Sequence, residues 1–98
     1  MDIDFDKLEV IHNTEAKRFE IRLGDELAMV EYMHFGSNIA YTHTEVPPAY
    51  EGKGVANQLA HAALEYAQAE GLKVNPVCPF IKLYIRRHPE YQPITLGY

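Results

Sequence analysis

Polar and apolar positions change their period midway along the chain. From Lys17 to Leu23, Phe19, Ile21 and Leu23 alternate with Arg18, Glu20 and Arg22, the period of two that marks a strand with one wetted face. Leu8 to His12 reads as a shorter strand before it, with Asn13-Thr14-Glu15-Ala16 as the tight turn between them. Gly24-Asp25 then closes a hairpin. Residues 26 to 34 continue through Leu27, Met29 and Tyr32, and Phe35-Gly36-Ser37-Asn38 turns into a strand from Ile39 to Val46. The first half is expected to be a four-stranded meander.

After Val46 the period becomes helical. Pro47-Pro48 stops the strand, Gly52-Lys53-Gly54 follows, and a helix is predicted from about Val55 to Glu70. Val55, Leu59, Ala62, Ala63 and Tyr66 fall on one face, with Asn57, His61, Glu65 and Gln68 opposite. Gly71 is the expected C′ residue, and Leu72 to Val77 is long enough for one more strand. The unit strand, glycine loop, helix, strand makes its two strands parallel neighbours. Pro79 opens a second helix that runs through Ile81, Tyr84 and Ile85 to His88-Pro89. The tail from Glu90 to Tyr98 is expected to pack as an irregular edge. The fold class is therefore α/β (α+β): a mostly antiparallel sheet with one parallel pair and two helices.

Composition narrows the setting. The 98 residues carry 9 Lys+Arg against 14 Asp+Glu, a net charge of −5, which argues against a phosphate-backbone partner such as nucleic acid. At 47% hydrophobic and 23% charged the chain can bury one modest core, so residues 1–98 are expected to form a single domain. One cysteine makes no internal disulfide, and no apolar run reaches the roughly 20 residues of a membrane span. The N-terminal Met-Asp-Ile-Asp-Phe-Asp has no basic region or apolar run of signal-peptide length. A reducing, cytoplasmic setting is expected, and the small size favours a monomer. The five histidines form no His-x-x-x-His pair, so no metal site is expected.

The glycine loop lies between a strand end and a helix start, where the backbone N–H groups of Gly52, Lys53, Gly54, Val55 and Ala56 would converge on an anion. Glycine lets a pyrophosphate approach the backbone without meeting a β-carbon. The pattern is neither a Walker A loop nor Gly-x-Gly-x-x-Gly, and the alternative is a turn that holds nothing.

Tyr41-Thr42-His43-Thr44-Glu45-Val46-Pro47-Pro48, then Gly52-Lys53-Gly54-Val55-Ala56, Asn75-Pro76-Val77-Cys78-Pro79-Phe80 and Tyr84-Ile85-Arg86-Arg87-His88-Pro89-Glu90-Tyr91 together resemble the small single-domain GNAT-like N-acetyltransferases. The resemblance covers about Ile39 to Tyr91. It implies a truncated GNAT fold in which strands 39–46 and 72–77 splay to admit acetyl-CoA, with an amine as acceptor and no metal. The residues it marks for the coenzyme are Thr44, Glu45 and Val46 on the strand, Gly52, Lys53, Gly54, Val55, Ala56 and Asn57 in the loop and first turn, and Tyr84. The family's Arg/Gln-x-x-Gly-x-Gly/Ala loop maps onto Glu51 to Ala56. Glu51 departs from it and donates no hydrogen bond to phosphate, which leaves recognition to the amides. The short turn at 13–16 replaces the helices that usually wall the acceptor site, so a non-catalytic acyl-CoA binding or sensing module is the rival reading.

Cys78 and His43 are the candidate catalytic residues. Cys78 stands where the last strand becomes a helix, a position that stabilises a thiolate able to accept an acetyl group; the alternative is a small core residue. His43 is expected by simple alternation to share a face with Ile39, Tyr41 and Glu45, pointing into the cleft as a base for the acceptor amine; the alternative is a structural histidine. Tyr84 is expected to reach the coenzyme or protonate its leaving thiolate, or else to be a core residue with its hydroxyl at the rim. Arg86, Arg87 and His88 either complement the helix dipole or contact phosphates.

Overall fold

A computed structural model describes residues 3–98; Met1 and Asp2, part of the N-terminal run read above, lie outside it. Five strands form one sheet in sequence order: β1 Ile11–Asn13, β2 Arg18–Leu23, β3 Glu26–Phe35, β4 Asn38–Glu45 and β5 Lys73–Pro76. The first four pair antiparallel and β4 pairs β5 in parallel. Between β4 and β5 run a short 3-10 turn, Pro48–Tyr50, and helix α1, Val55–Ala69; helix α2, Pro79–Arg87, and a second 3-10 turn, Pro89–Ile94, follow. The tail does supply an edge, because Thr95 bridges Val74 in parallel and the Leu96 N–H donates to the Val74 carbonyl at 2.8 Å.

The core lies between one sheet face and the helices. Phe19, Ile21 and Leu23 of β2, Ala28, Val30 and Tyr32 of β3, and Ile39 and Tyr41 of β4 meet Leu59, Ala63 and Leu64 of α1 and Ile81 and Ile85 of α2. Burying each large aliphatic side chain contributes roughly 1.5–3 kcal/mol. The buried Tyr41 hydroxyl donates to the Ala63 carbonyl, tying sheet to helix.

Four expectations change. The first strand is only Ile11–Asn13, because the segment before it runs across α1 instead of pairing: the Gln58 side-chain amide donates to the Phe5 carbonyl at 2.6 Å. On β3 the core face carries Ala28, Val30 and Tyr32, not Leu27 and Met29, since Ala28 registers opposite Ile21 and Val30 opposite Phe19. On α1, Ala60, Leu64 and Ala67 are buried while Ala62 and Tyr66 are only half-buried. The helix is covered by the sheet on one side and by α2 and the C-terminal segment on the other, so its buried arc is wider and shifted.

The fourth change is on β4. Glu31 pairs with His43 but Tyr32 pairs with Tyr41, so Thr42 is an extra residue, a β-bulge. Alternation reverses there. Thr44, opposite the core residue Val30, faces inward, whereas His43 and Glu45 turn to the outer face. His43 therefore does not share a face with Ile39 and Tyr41.

Candidate functional site

The glycine loop is held open by backbone conformation. Gly52 and Gly54 have φ of 77° and 82°, a left-handed region that is strained for any residue with a β-carbon. A β-carbon at either position would meet nothing within 4 Å, so conformation, not crowding inside the protein, requires glycine, and open space lies in front of both. Gly54 is the N-cap of α1 and has no side chain to cap it. The amides of Val55, Ala56 and Asn57 are first-turn donors, which have no intrahelical acceptor. They open, with Gly52 and Gly54, onto a cavity of about 210 Å³ completed by Val46, Tyr50, Glu51 and Phe80. An anion placed there meets both the amides and the positive end of the helix dipole. The residues present fit a pyrophosphate.

Beside this cavity the sheet opens. β4 and β5 pair only from Asn38↔Lys73 to Tyr41↔Pro76. The Cys78 N–H then closes on the Tyr41 carbonyl at 2.8 Å, and β4 runs on to Glu45 without β5 beside it. Cys78 is the N-cap of α2, with Pro79 behind it. It is buried, and its Sγ lies 3.2 Å from the Thr44 Oγ1. Two residues further along each segment, Val46 and Phe80 wall the cavity. The thiol, the unpaired stretch of β4 and the amide cradle thus follow one line.

The remaining expected residues are dispersed. His43 is exposed on the outer sheet face with its Nε2 3.5 Å from the Glu45 carboxylate, on the far side from Cys78. Lys53 does not line the cavity; its ammonium sits 5.9 Å from the centre of the Phe5 ring. Tyr84 is buried, stacked on His88 with ring centroids 3.8 Å apart, and approaches the cavity through Phe80 at 6.4 Å. Burial, with Glu90 and Glu65 nearby, raises its phenol's pKa and keeps it protonated. His88 donates from Nδ1 to the Tyr84 carbonyl at 2.8 Å, and Arg86 and Arg87 occupy the exposed last turn of α2, which is where cations complement the helix dipole. Tyr50 and Phe80 are lining residues that the sequence reading does not single out. For Phe80 the available signal is an aromatic directly after the proline that opens a helix.

A mixed sheet whose parallel pair parts beside a glycine-opened helix defines the GNAT-like α/β fold. The profile of the GCN5-related N-acetyl-transferase family matches residues 18–94, and the chain belongs to that family. Among curated proteins it is similar to Protein NATD1 of Gallus gallus and of Homo sapiens, each 36% identical over 85 residues, covering 84% of this chain and 77% and 75% of theirs. Protein NATD1 of Danio rerio is 34% identical over 90 residues, covering 87% of this chain and 82% of its own. Among solved structures, the solution structure of a GCN5-like protein from Staphylococcus aureus superposes with a TM-score of 0.74 at 29% identity, covering 93% of this chain and 90% of that one.

Proposed function

We propose that this chain binds acetyl-CoA through the glycine loop and the open edge of β4, and moves the acetyl group to an amine. The observation that carries the reading is the pair Gly52 and Gly54, both at positive φ, both facing open space, at the uncapped start of α1. Bound acetyl-CoA supplies an activated thioester. The chain's own part is to hold the pyrophosphate on the amides of Gly52 to Asn57, with Lys53 adding positive charge from beside the loop. The pantetheine arm lies along the backbone of Thr44, Glu45 and Val46, which β5 leaves unpaired, and Tyr84 supports this end of the site through Phe80. Backbone N–H groups there polarise the thioester carbonyl. Cys78 accepts the acetyl group and passes it on, its sulfur lying on the same line as the cradle. On the outer face, His43 beside Glu45 is placed to take the proton of an amine arriving from that side, so that the thioester lies between nucleophile and base.

A calorimetric titration of acetyl-CoA, with pantetheine as comparison, tests the binding half. Micromolar affinity that weakens when the pyrophosphate is absent is expected; no binding at millimolar ligand refutes it. Acetyl transfer to a panel of amines, peptides and polyamines tests the catalytic half, and Cys78→Ala is expected to keep binding and lose turnover. A second reading, a non-catalytic acyl-CoA module, is favoured by the short turn between β1 and β2, which leaves no helix there to wall an acceptor. Tight binding with no transfer to any amine in the panel would select it.

A further inference from the structure

We propose that Thr44 acts through its side chain as the positioning residue for Cys78 in acyl transfer, and that the bulge at Thr42 exists to bring it there. The proposal rests on Cys78 being the acetyl acceptor. Without the extra residue, alternation from Tyr41 would send His43 inward and Thr44 outward. The bulge is fastened by the Thr42 hydroxyl, which donates to the Glu31 carbonyl at 3.4 Å, and beyond it Thr44 sits on the inner face opposite Val30. Its Oγ1 lies 3.2 Å from Cys78 Sγ, a contact between residues 34 positions apart.

Cys78 has little other freedom. Its N–H is committed to Tyr41 and its carbonyl accepts the Lys82 N–H at 3.1 Å, so the backbone is fixed on both sides and only the side-chain torsion is left. Thr44 is β-branched and stiff at its own first torsion. The hydroxyl therefore selects the direction of the sulfur. It also serves both protonation states, accepting from the S–H of the resting thiol and, after rotation, donating O–H to a thiolate. Cys78 Sγ forms a bond to the acetyl carbon as the bond from that carbon to the coenzyme A sulfur breaks, and the thiol proton ends on the departing sulfur. The amine, having given its ammonium proton to His43, then takes the acetyl group, forming an amide and passing its second N–H proton to Cys78.

Thr44→Val removes the hydroxyl at nearly constant shape and Thr44→Ser retains it, so the pair is the test. Cys78 is the chain's one cysteine, so alkylation by iodoacetamide and the hydroxylamine-labile part of the mass gained from acetyl-CoA, each absent in a Cys78→Ala control, report on it. With folding checked by circular dichroism, the valine variant is expected to lose about tenfold in both rates, the equivalent of one hydrogen bond. The serine variant is expected to return to near the original rates, acetylation being compared at saturating acetyl-CoA in all three proteins. Equal rates in all three proteins, or a folded serine variant as slow as the valine one, would overturn the role of Thr44 while leaving that of Cys78. No acetylated Cys78 in the unmodified chain, despite bound acetyl-CoA, would instead overturn the covalent reading and with it any part for Thr44 in acyl transfer.

Discussion

Replacing Gly54 by alanine separates the two reasons for a glycine at that position. The residue stands at φ 82°, where a β-carbon costs roughly 1–2 kcal/mol. Nothing within 4 Å opposes the added methyl, so the effect on folding is this backbone strain less the roughly 0.4–1 kcal/mol that alanine recovers by stiffening the unfolded chain. In a chain of this size a loss of about 1 kcal/mol lowers Tm by roughly 4–8 °C. Gly71→Ala is the matched control: φ is 68°, the space around it is equally open, and it lies past the far end of α1. Urea or thermal unfolding should find the two variants destabilised alike. They should part on ligand. The methyl at Gly54 enters the space where the pyrophosphate approaches the amides of Val55 and Ala56, so calorimetry should show acetyl-CoA affinity falling by about tenfold or more, at least 1.4 kcal/mol, with Gly71→Ala binding as the unmodified chain does. Equal affinities in the two variants would refute the assignment of the loop as a phosphate cradle, whatever their stabilities.

Two further predictions concern pH. Tyr41 is buried with its hydroxyl on the Ala63 carbonyl, and burial, followed by Tyr66 and Tyr32, raises its pKa far above the ordinary 10.0. The folded state thus favours the neutral phenol: this stability is complete below pH 10 and is lost as pH rises beyond it. Tyr41→Phe should lose about 1 kcal/mol at neutral pH and show a shallower alkaline decline in urea midpoint. His12 is shifted down from 6.5 by burial first and by His34 second. Its Nε2 shares a hydrogen bond of 2.6 Å with the Tyr32 hydroxyl and its ring stacks on Phe19 at 4.2 Å. The neutral imidazole is the folded form, so stability is full above pH 6.5 and falls as pH drops below it. Glu20 does not interfere in that window, because the Arg18 hydrogen bond, the largest of its influences, helps hold its pKa below 4.5. Urea midpoints measured downward from neutral pH should fall less steeply in His12→Gln.

Much of the architecture is legible in the residues because local patterning reports local structure. Alternation in Arg18 to Leu23, helical spacing from Val55, and the stop signals Pro47-Pro48, Gly71 and His88-Pro89 respond to forces acting within a few residues. The glycine loop is legible for the same reason, since positive φ is a demand of one residue on its own backbone. Local patterning therefore carries the order of elements, the break in period at Val46 and the positive-φ glycines at 52 and 54. The rest depends on contacts between elements distant in the chain. Which apolar set of β3 faces the core, Ala28 and Val30 or Leu27 and Met29, depends on its register against β2. The wider buried arc of α1 depends on α2 and the C-terminal segment covering a second side. The bulge at Thr42 leaves no mark in a period of two until β3 is laid beside β4, and that single extra residue is what sends His43 outward and brings Thr44 to Cys78, 34 positions away.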